Sequence, residues 1–341
     1  MKRIYTFSIL FVLIGLCPVY FFPNNNLVQT TTLSDKVHER EKGFPVAVQT
    51  FDSDHLQYEE IFNEPPQRVI AVWQSSIETL LALGLGDKII AAVGLPDEKY
   101  LKTEYRESYR RIPYKRFSLL NCESALMMDP DFIITCWSTA FTSKSLGRTD
   151  FWQKNKVNTY ISEMPKRIVE YRTIEEEYRF IRDLGKIFAV NAKAEMLITN
   201  IQTEIDYVTQ QLEQRKNKKT VMVIQFMGNK IKNWGTDSLQ GDIVKKLHGN
   251  LALPQESFIG YEDILEIDPE IIFVMATEWE YEDLDMVRDK VMKYKPLNSL
   301  QSVKNERVYI LPLYAGNYSA TRLDEGIRIV SKGMYPELYG K

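Results

Sequence analysis

The sequence predicts an α/β protein: two doubly wound units, each a parallel sheet with helices on both faces, flanking one long α-helix. Three observations carry that prediction. Short apolar runs alternate with helical patterns before and after a central segment. That segment, residues 191–215, bears one uninterrupted apolar stripe. A spaced pattern of acids and proline recurs in both halves. Composition agrees. A length of 341 residues suggests roughly two domains, and 44% hydrophobic residues suffice for a core. A formal charge of −3 argues against a basic nucleic-acid binder. Three cysteines are too few for a disulfide-built scaffold, and three histidines argue against a His-rich metal site.

Residues 1–22 read as a targeting segment outside the fold. Lys2 and Arg3 start it, and no charge follows from Ile4 to Phe22. A cleaved secretory signal and a retained membrane anchor both fit. Cys17 ends the run Leu13–Leu16, as in a lipoprotein processing site, except that Leu16 stands where a small residue is expected. A lipidated Cys and an ordinary apolar Cys are both open. Residues 23–45 are polar without periodicity and read as a flexible tether.

The first unit spans 46–190. Val46–Phe51 and Gln57–Phe62 flank the turn residues 52–55, a hairpin closed by Pro65 and Pro66. Arg68–Trp73 is a continuous apolar run, as expected of a strand buried on both faces. Ser75 or Ser76 would cap a helix over Ile77–Leu83, with Glu78 in its first turn and Gly84 and Gly86 as its stop. Strands at 88–93, 132–137 and 157–160 continue the alternation.

In 191–215, Ala194, Leu197, Ile201, Ile205, Val208 and Leu212 fall on one face of a helix. At 1.5 Å per residue it would reach roughly 37 Å, enough to pass from one domain to another. The second unit, 216–341, restarts with strands at 220–226, 270–275 and 307–311, a helix over 238–247, and a closing helix over 320–332 ended by Gly333 and Pro336.

The echo pairs Glu123…Asp129-Pro130-Asp131 with Glu262…Asp268-Pro269-Glu270. Each reads as a helix opening on a Glu, halted by proline and returning as a strand. A carboxylate at a helix N-terminus is favourable by about 0.3–1 kcal/mol, which alone explains either Glu. Both helices would also open on the rim where the strands end, so the two acids could meet basic sockets on a partner.

Assembled, these residues resemble the binding proteins of ABC importers for iron–siderophore complexes, haem and cobalamin. The resemblance covers about 46–339. It rests on Pro66–Trp73, Glu78–Gly94, the two Glu…Asp-Pro segments, Leu184–Phe188, and Pro296–Tyr309 leading into the last strand. It implies two Rossmann-like lobes joined by a rigid helix, with a ligand cleft between them and no catalysis. It also implies an exported monomer at the outer face of the cytoplasmic membrane or in the periplasm, and docking of Glu123 and Glu262 on a permease driven by its ATPase.

The cleft should be lined by residues just past the strand ends. These are Trp73, Gln74 and Ser75, then Trp137, Ser138 and Phe141 with Lys144 and Arg148, and in the second lobe Trp234, Trp279, Tyr314, Tyr318 and Arg322. Flat aromatic rings suit a large chelate, and Arg148 and Arg322 would neutralise an anionic one. No compact His, Asp, Glu or Tyr set has metal spacing, so the ligand, an iron(III) chelate, would bring its own chelating atoms. Cys122 and Cys136 read as two thiols, with a disulfide open. Haem would ask for an axial Tyr or His, and Tyr314 and Tyr318 keep it open. An α/β enzyme is the rival class, but no phosphate loop, nucleophile elbow or Cys-x-x-Cys is found.

Overall fold

The computed structural model describes residues 43–162, 172–212, 218–255, 257–317 and 319–340. The targeting segment with Cys17, the tether up to residue 42, and Tyr318 lie outside the described residues. Gly43–Lys341 forms one compact unit.

Strands β1 (Val46–Phe51) and β2 (Gln57–Phe62) pair antiparallel with Val46 opposite Phe62, as expected. The Asp52 carboxylate closes their turn, accepting from the Asp54 and Leu56 amides at 2.8 Å each. Then come β3 (Val69–Val72), α1 (Trp73–Ala82), β4 (Ile89–Val93), α2 (Thr103–Arg110), β5 (Tyr114–Arg116), α3 (Cys122–Leu126), β6 (Phe132–Thr135), α4 (Thr149–Lys154) and β7 (Asn158–Ile161). The first sheet has the order β5-β4-β3-β6-β7, parallel throughout.

Helix α5 (Ile174–Ile187) was not expected from periodicity. Thr173 and Glu176 form a capping box at its start, and Glu175, Glu176 and Glu177 fill its first turn. Helix α6 (Asn191–Leu212) follows within the expected segment. The two pack so closely that a Cβ on Gly185 would stand 2.7 Å from that of Ala194.

The second half runs β8 (Thr220–Met227), β9 (Lys230–Asn233), α7 (Leu239–Lys246), β10 (Asn250–Leu251), β11 (Ser257–Ile259), α8 (Tyr261–Ile267), β12 (Ile271–Ala276), α9 (Leu284–Met292), α10 (Gln301–Lys304), β13 (Val308–Pro312), α11 (Leu313–Gly316) and α12 (Leu323–Met334). Its sheet has the order β11-β9-β8-β12-β13, with β10 on the start of β8. It is not parallel throughout. Gly228, at φ +60°, turns β8 back into β9, and β11 extends that antiparallel edge.

Strand alternation divides the apolar interior into three layers. Ile70 and Val72 face one outer layer, and Met222, Ile224, Ile272 and Val274 face the other. Val69, Ala71, Val221, Val223 and Phe273 all enter one central layer, which the stripe of α6 completes with Ala194, Ile198, Ile201, Val208 and Leu212. Two sheets therefore share one central layer, and the buried stripe of the linking helix forms part of its wall.

Three local expectations change. Helix α1 starts at Trp73, not at a serine cap: Trp73 itself turns the chain at φ +69°. Glu78 is thus one turn deeper and fully buried. Gly333 does not stop α12. It lies in the helix, where a Cβ would meet the Phe273 ring at 2.6 Å.

The echo is physical. Asp129 and Asp268 both take left-handed φ, +50° and +44°, ahead of their prolines. The acid two residues on then clasps the start of the neighbouring strand. Asp131 accepts from the Gln67 and Arg68 amides at 2.7 and 2.9 Å, and Glu270 accepts from the Thr220 amide at 2.8 Å. Glu123 and Glu262 are exposed in the first turns of α3 and α8.

Candidate functional site

A concavity of about 400 Å³ opens where the strand ends of both sheets meet. From the first sheet it takes Trp73, Gln74 and Ser75 after β3, Gly94 and Pro96 after β4, and Cys136 and Trp137 after β6. From the second it takes Glu278 and Tyr281 after β12, and Leu313, Tyr314 and Asn317 after β13. A second concavity, of about 600 Å³, shares Trp137, Glu278, Leu313 and Asn317 with the first and adds Gln225, Met227, Lys232, Trp234, Thr277 and Trp279. The two form one cleft at the carboxyl ends of the strands, the usual ligand position in open α/β sheets.

Local chain geometry aims the aromatic rings. Positive φ at a non-glycine residue costs about 1–3 kcal/mol and marks a site held by its surroundings. Trp73 is such a residue, and its ring lies directly on Gly94. A Cβ there would be 2.6 Å from Trp73 Cε3, and Gly94 itself has φ +90°. The Trp73 and Trp137 rings are 5.7 Å apart, and Trp279, 73% exposed, meets Phe117, just past β5, at 4.4 Å. Tyr281 bridges Tyr100 and Tyr314 at 5.0 and 5.3 Å. The indole N–H groups of Trp73 and Trp234 are buried without a hydrogen-bond partner among the described residues.

Polar ties cross beside the cleft. Arg322, 6% exposed, donates to Glu78 at 3.0 Å and to the Tyr100 carbonyl at 3.1 Å. It also pairs with Glu325 and stacks 4.1 Å from the Tyr314 ring. Burial pushes the Glu78 carboxyl up, while Arg322 and the Lys102 amide pull it back. Glu282 accepts from Lys99 and from the Tyr100 hydroxyl, both at 2.6 Å, and Lys102 reaches Asp324 at 3.1 Å. These ties join the first sheet's loops to the second's.

Of the residues singled out in the sequence, the cleft gathers Trp73, Gln74, Ser75, Trp137, Trp234, Trp279 and Tyr314. Among the described residues it does not gather the others. Ser138 is buried under the rim beside His55, and Phe141 is core. Lys144 is exposed and does not line the cleft. Arg148 grips Asp54 at 2.5 and 3.0 Å and also pairs with Asp150, so it fastens the β1–β2 turn. Arg322 lies behind Tyr314, bound to two carboxylates. Neither arginine is positioned to neutralise an anion in the cleft. Cys122 and Cys136 are unbridged thiols.

Sequence reasoning missed Glu278, Tyr281 and Gly94. Each follows a strand end, but Glu278 and Tyr281 sit in an acid-rich run, 278–285, that reads as a solvated loop. Burial pushes the Glu278 carboxyl up, with Glu280 adding repulsion. Glu280 itself, against its own burial, is held low by the Thr277 amide and by Lys290 at 2.9 Å. Among the described residues no group of His, Cys, Asp and Glu is disposed to hold a metal ion, and no helix is long and apolar enough to cross a membrane.

Comparison with known proteins gives a consistent result. The family model described as periplasmic binding protein matches residues 69–315. The crystal structure of a periplasmic binding protein from Veillonella parvula is 37% identical, covering 86% of this chain and 93% of that one, with a TM-score of 0.79. An Fe3+-hydroxamate transport-system structure from Saccharomonospora viridis is 17% identical, covering 87% and 100%, with a TM-score of 0.69. An uncharacterized ABC transporter substrate-binding lipoprotein of Bacillus subtilis is 20% identical over 310 residues, 89% of this chain and 90% of the relative.

Proposed function

Because the chain belongs to the periplasmic binding protein family, we propose that it is the extracytoplasmic substrate-binding protein of an ABC importer, capturing an iron(III)-siderophore-type chelate and passing it to a membrane permease. The observation that carries this reading is the cleft: aromatic, built from the strand ends of two sheets, and without a cluster for a bare metal ion among the described residues. Such walls suit a cargo that supplies its own iron ligands and offers flat apolar flanks. The hydroxamate-transport relative supports the same cargo class. Haem gains no support from Tyr314, whose hydroxyl donates to Glu325 at 3.3 Å beside Arg322.

In this reading residues 46–190 and 216–341 are the lobes and 191–215 their brace. Glu123 and Glu262 dock on the permease, and the protein works as a monomer. Residues 1–22 direct export and tether the protein to the membrane, through Cys17 if that residue is lipidated. The B. subtilis lipoprotein is consistent with such a tether.

Fluorescence and calorimetric titration against ferric hydroxamates, ferric catecholates, haem, cobalamin and uncomplexed ferric iron tests the cargo. A ferric chelate is expected to quench tryptophan emission saturably, and Trp137→Ala to weaken that binding by about tenfold, as for a central aromatic contact. Saturable binding of only haem, cobalamin or bare iron would overturn the cargo class.

A further inference from the structure

Charge inside the cleft is unevenly placed. Among the described residues lining its 400 Å³ part, Glu278 is the single charged side chain. It also lines the 600 Å³ part, so it stands where the two halves of the cleft join. No ion pair engages it among the described residues, whereas the neighbouring acids Glu280 and Glu282 are each paired with a lysine. Among the described lining residues the single cation is Lys232, which lies 3.6 Å over the Trp234 ring and lines only the larger part. Both nearby arginines are committed elsewhere: Arg322 to Glu78 and Glu325, Arg148 to Asp54 and Asp150.

A half-buried carboxylate without a cation is costly to hold, and a ligand cation would relieve that cost. The surrounding rings of Trp73, Trp137, Tyr281 and Tyr314 add their own preference, since aromatic faces attract cations and not anions.

We propose that Glu278 is the specificity-determining residue of the cleft, and that the cargo is a metal chelate carrying a positively charged group, such as a primary ammonium, which seats against the Glu278 carboxylate. The inference rests on the chelate-binding reading above and narrows it: anionic chelates are disfavoured, opposite to the sign that the two arginines suggest from sequence.

The test uses three ferric probes: a linear trihydroxamate complex with a free terminal amine, the same complex N-acetylated to remove the charge, and an anionic tris-catecholate complex. Tryptophan quenching gives each affinity. Wild type is expected to bind the amine form about tenfold tighter than the acetylated form, and the catecholate weakest. Glu278→Gln is expected to bring the first two within twofold, through loss of affinity for the amine form. A wild-type difference below twofold, tightest binding of the catecholate, or an undiminished preference in Glu278→Gln overturns the assignment while chelate binding stands. If no probe of any charge binds to folded wild-type protein, the chelate reading falls, and this inference with it. The wild-type comparison needs no variant, so it decides the matter even if the substitution harms folding.

Discussion

Trp73 and Gly94 depend on each other. The tryptophan accepts a left-handed backbone at the end of β3, and its ring fills the space that a side chain on Gly94 would need. Gly94→Ala therefore imposes both a clash and an unfavourable φ. The expected result is a chelate affinity reduced by about tenfold or more and a stability loss of about 1–3 kcal/mol, measured by titration and by denaturant unfolding. An unchanged affinity would detach Trp73 from the site. At this scale the sequence was partly legible. Residues following apolar runs do line the cleft, because strand ends are readable from such runs. Arginine roles were not, because pairing partners such as Glu78 and Asp54 lie 244 and 94 residues away in the chain.

The β1–β2 hairpin shows how an element is fastened by a buried acid. Glu60 accepts from the Tyr58 hydroxyl at 2.8 Å and from the Asn158 amide of β7, while the Thr50 hydroxyl donates to the Ile161 carbonyl. Burial raises the Glu60 carboxyl, despite the hydrogen bonds from Tyr58 and Asn158. A carboxyl raised on folding adds stability that is complete below its unfolded value and is lost as pH rises through its folded value. Lowering the pH from 7 toward 5 is therefore expected to raise the melting temperature of wild type relative to Glu60→Gln. Each 1 kcal/mol so gained is worth roughly 2–4 °C in a domain of 150–250 residues. A gap between the two proteins that stays constant with pH would show that Glu60 is not titrating there. Most elements were readable from apolar runs. Helix α5 was not, because the masking acids Glu175–Glu177 obscured its buried face of Ile174, Tyr178, Ile181 and Leu184. The β8–β9 turn was missed because only Gly228 and Asn229 mark it.

For the whole molecule, the duplicated motif is where sequence and structure agree most closely, down to the left-handed aspartates and the acids clasping β3 and β8. Those acids account for the conformational half of the motif, while Glu123 and Glu262 stand exposed in the first turns of α3 and α8. Charge reversal at both, Glu123→Arg with Glu262→Arg, is expected to abolish uptake by whole cells while leaving chelate affinity within about twofold, because neither residue lines the cleft. Uptake that survives would remove the docking role.

The central apolar layer has a consequence for dissection. Ala194, Ile198, Ile201, Val208 and Leu212 fill space bounded by strands from both ends of the polypeptide. Severing the gene at the brace would strip each half of a wall it needs to keep dry, and the pieces would be sticky fragments instead of miniature receptors.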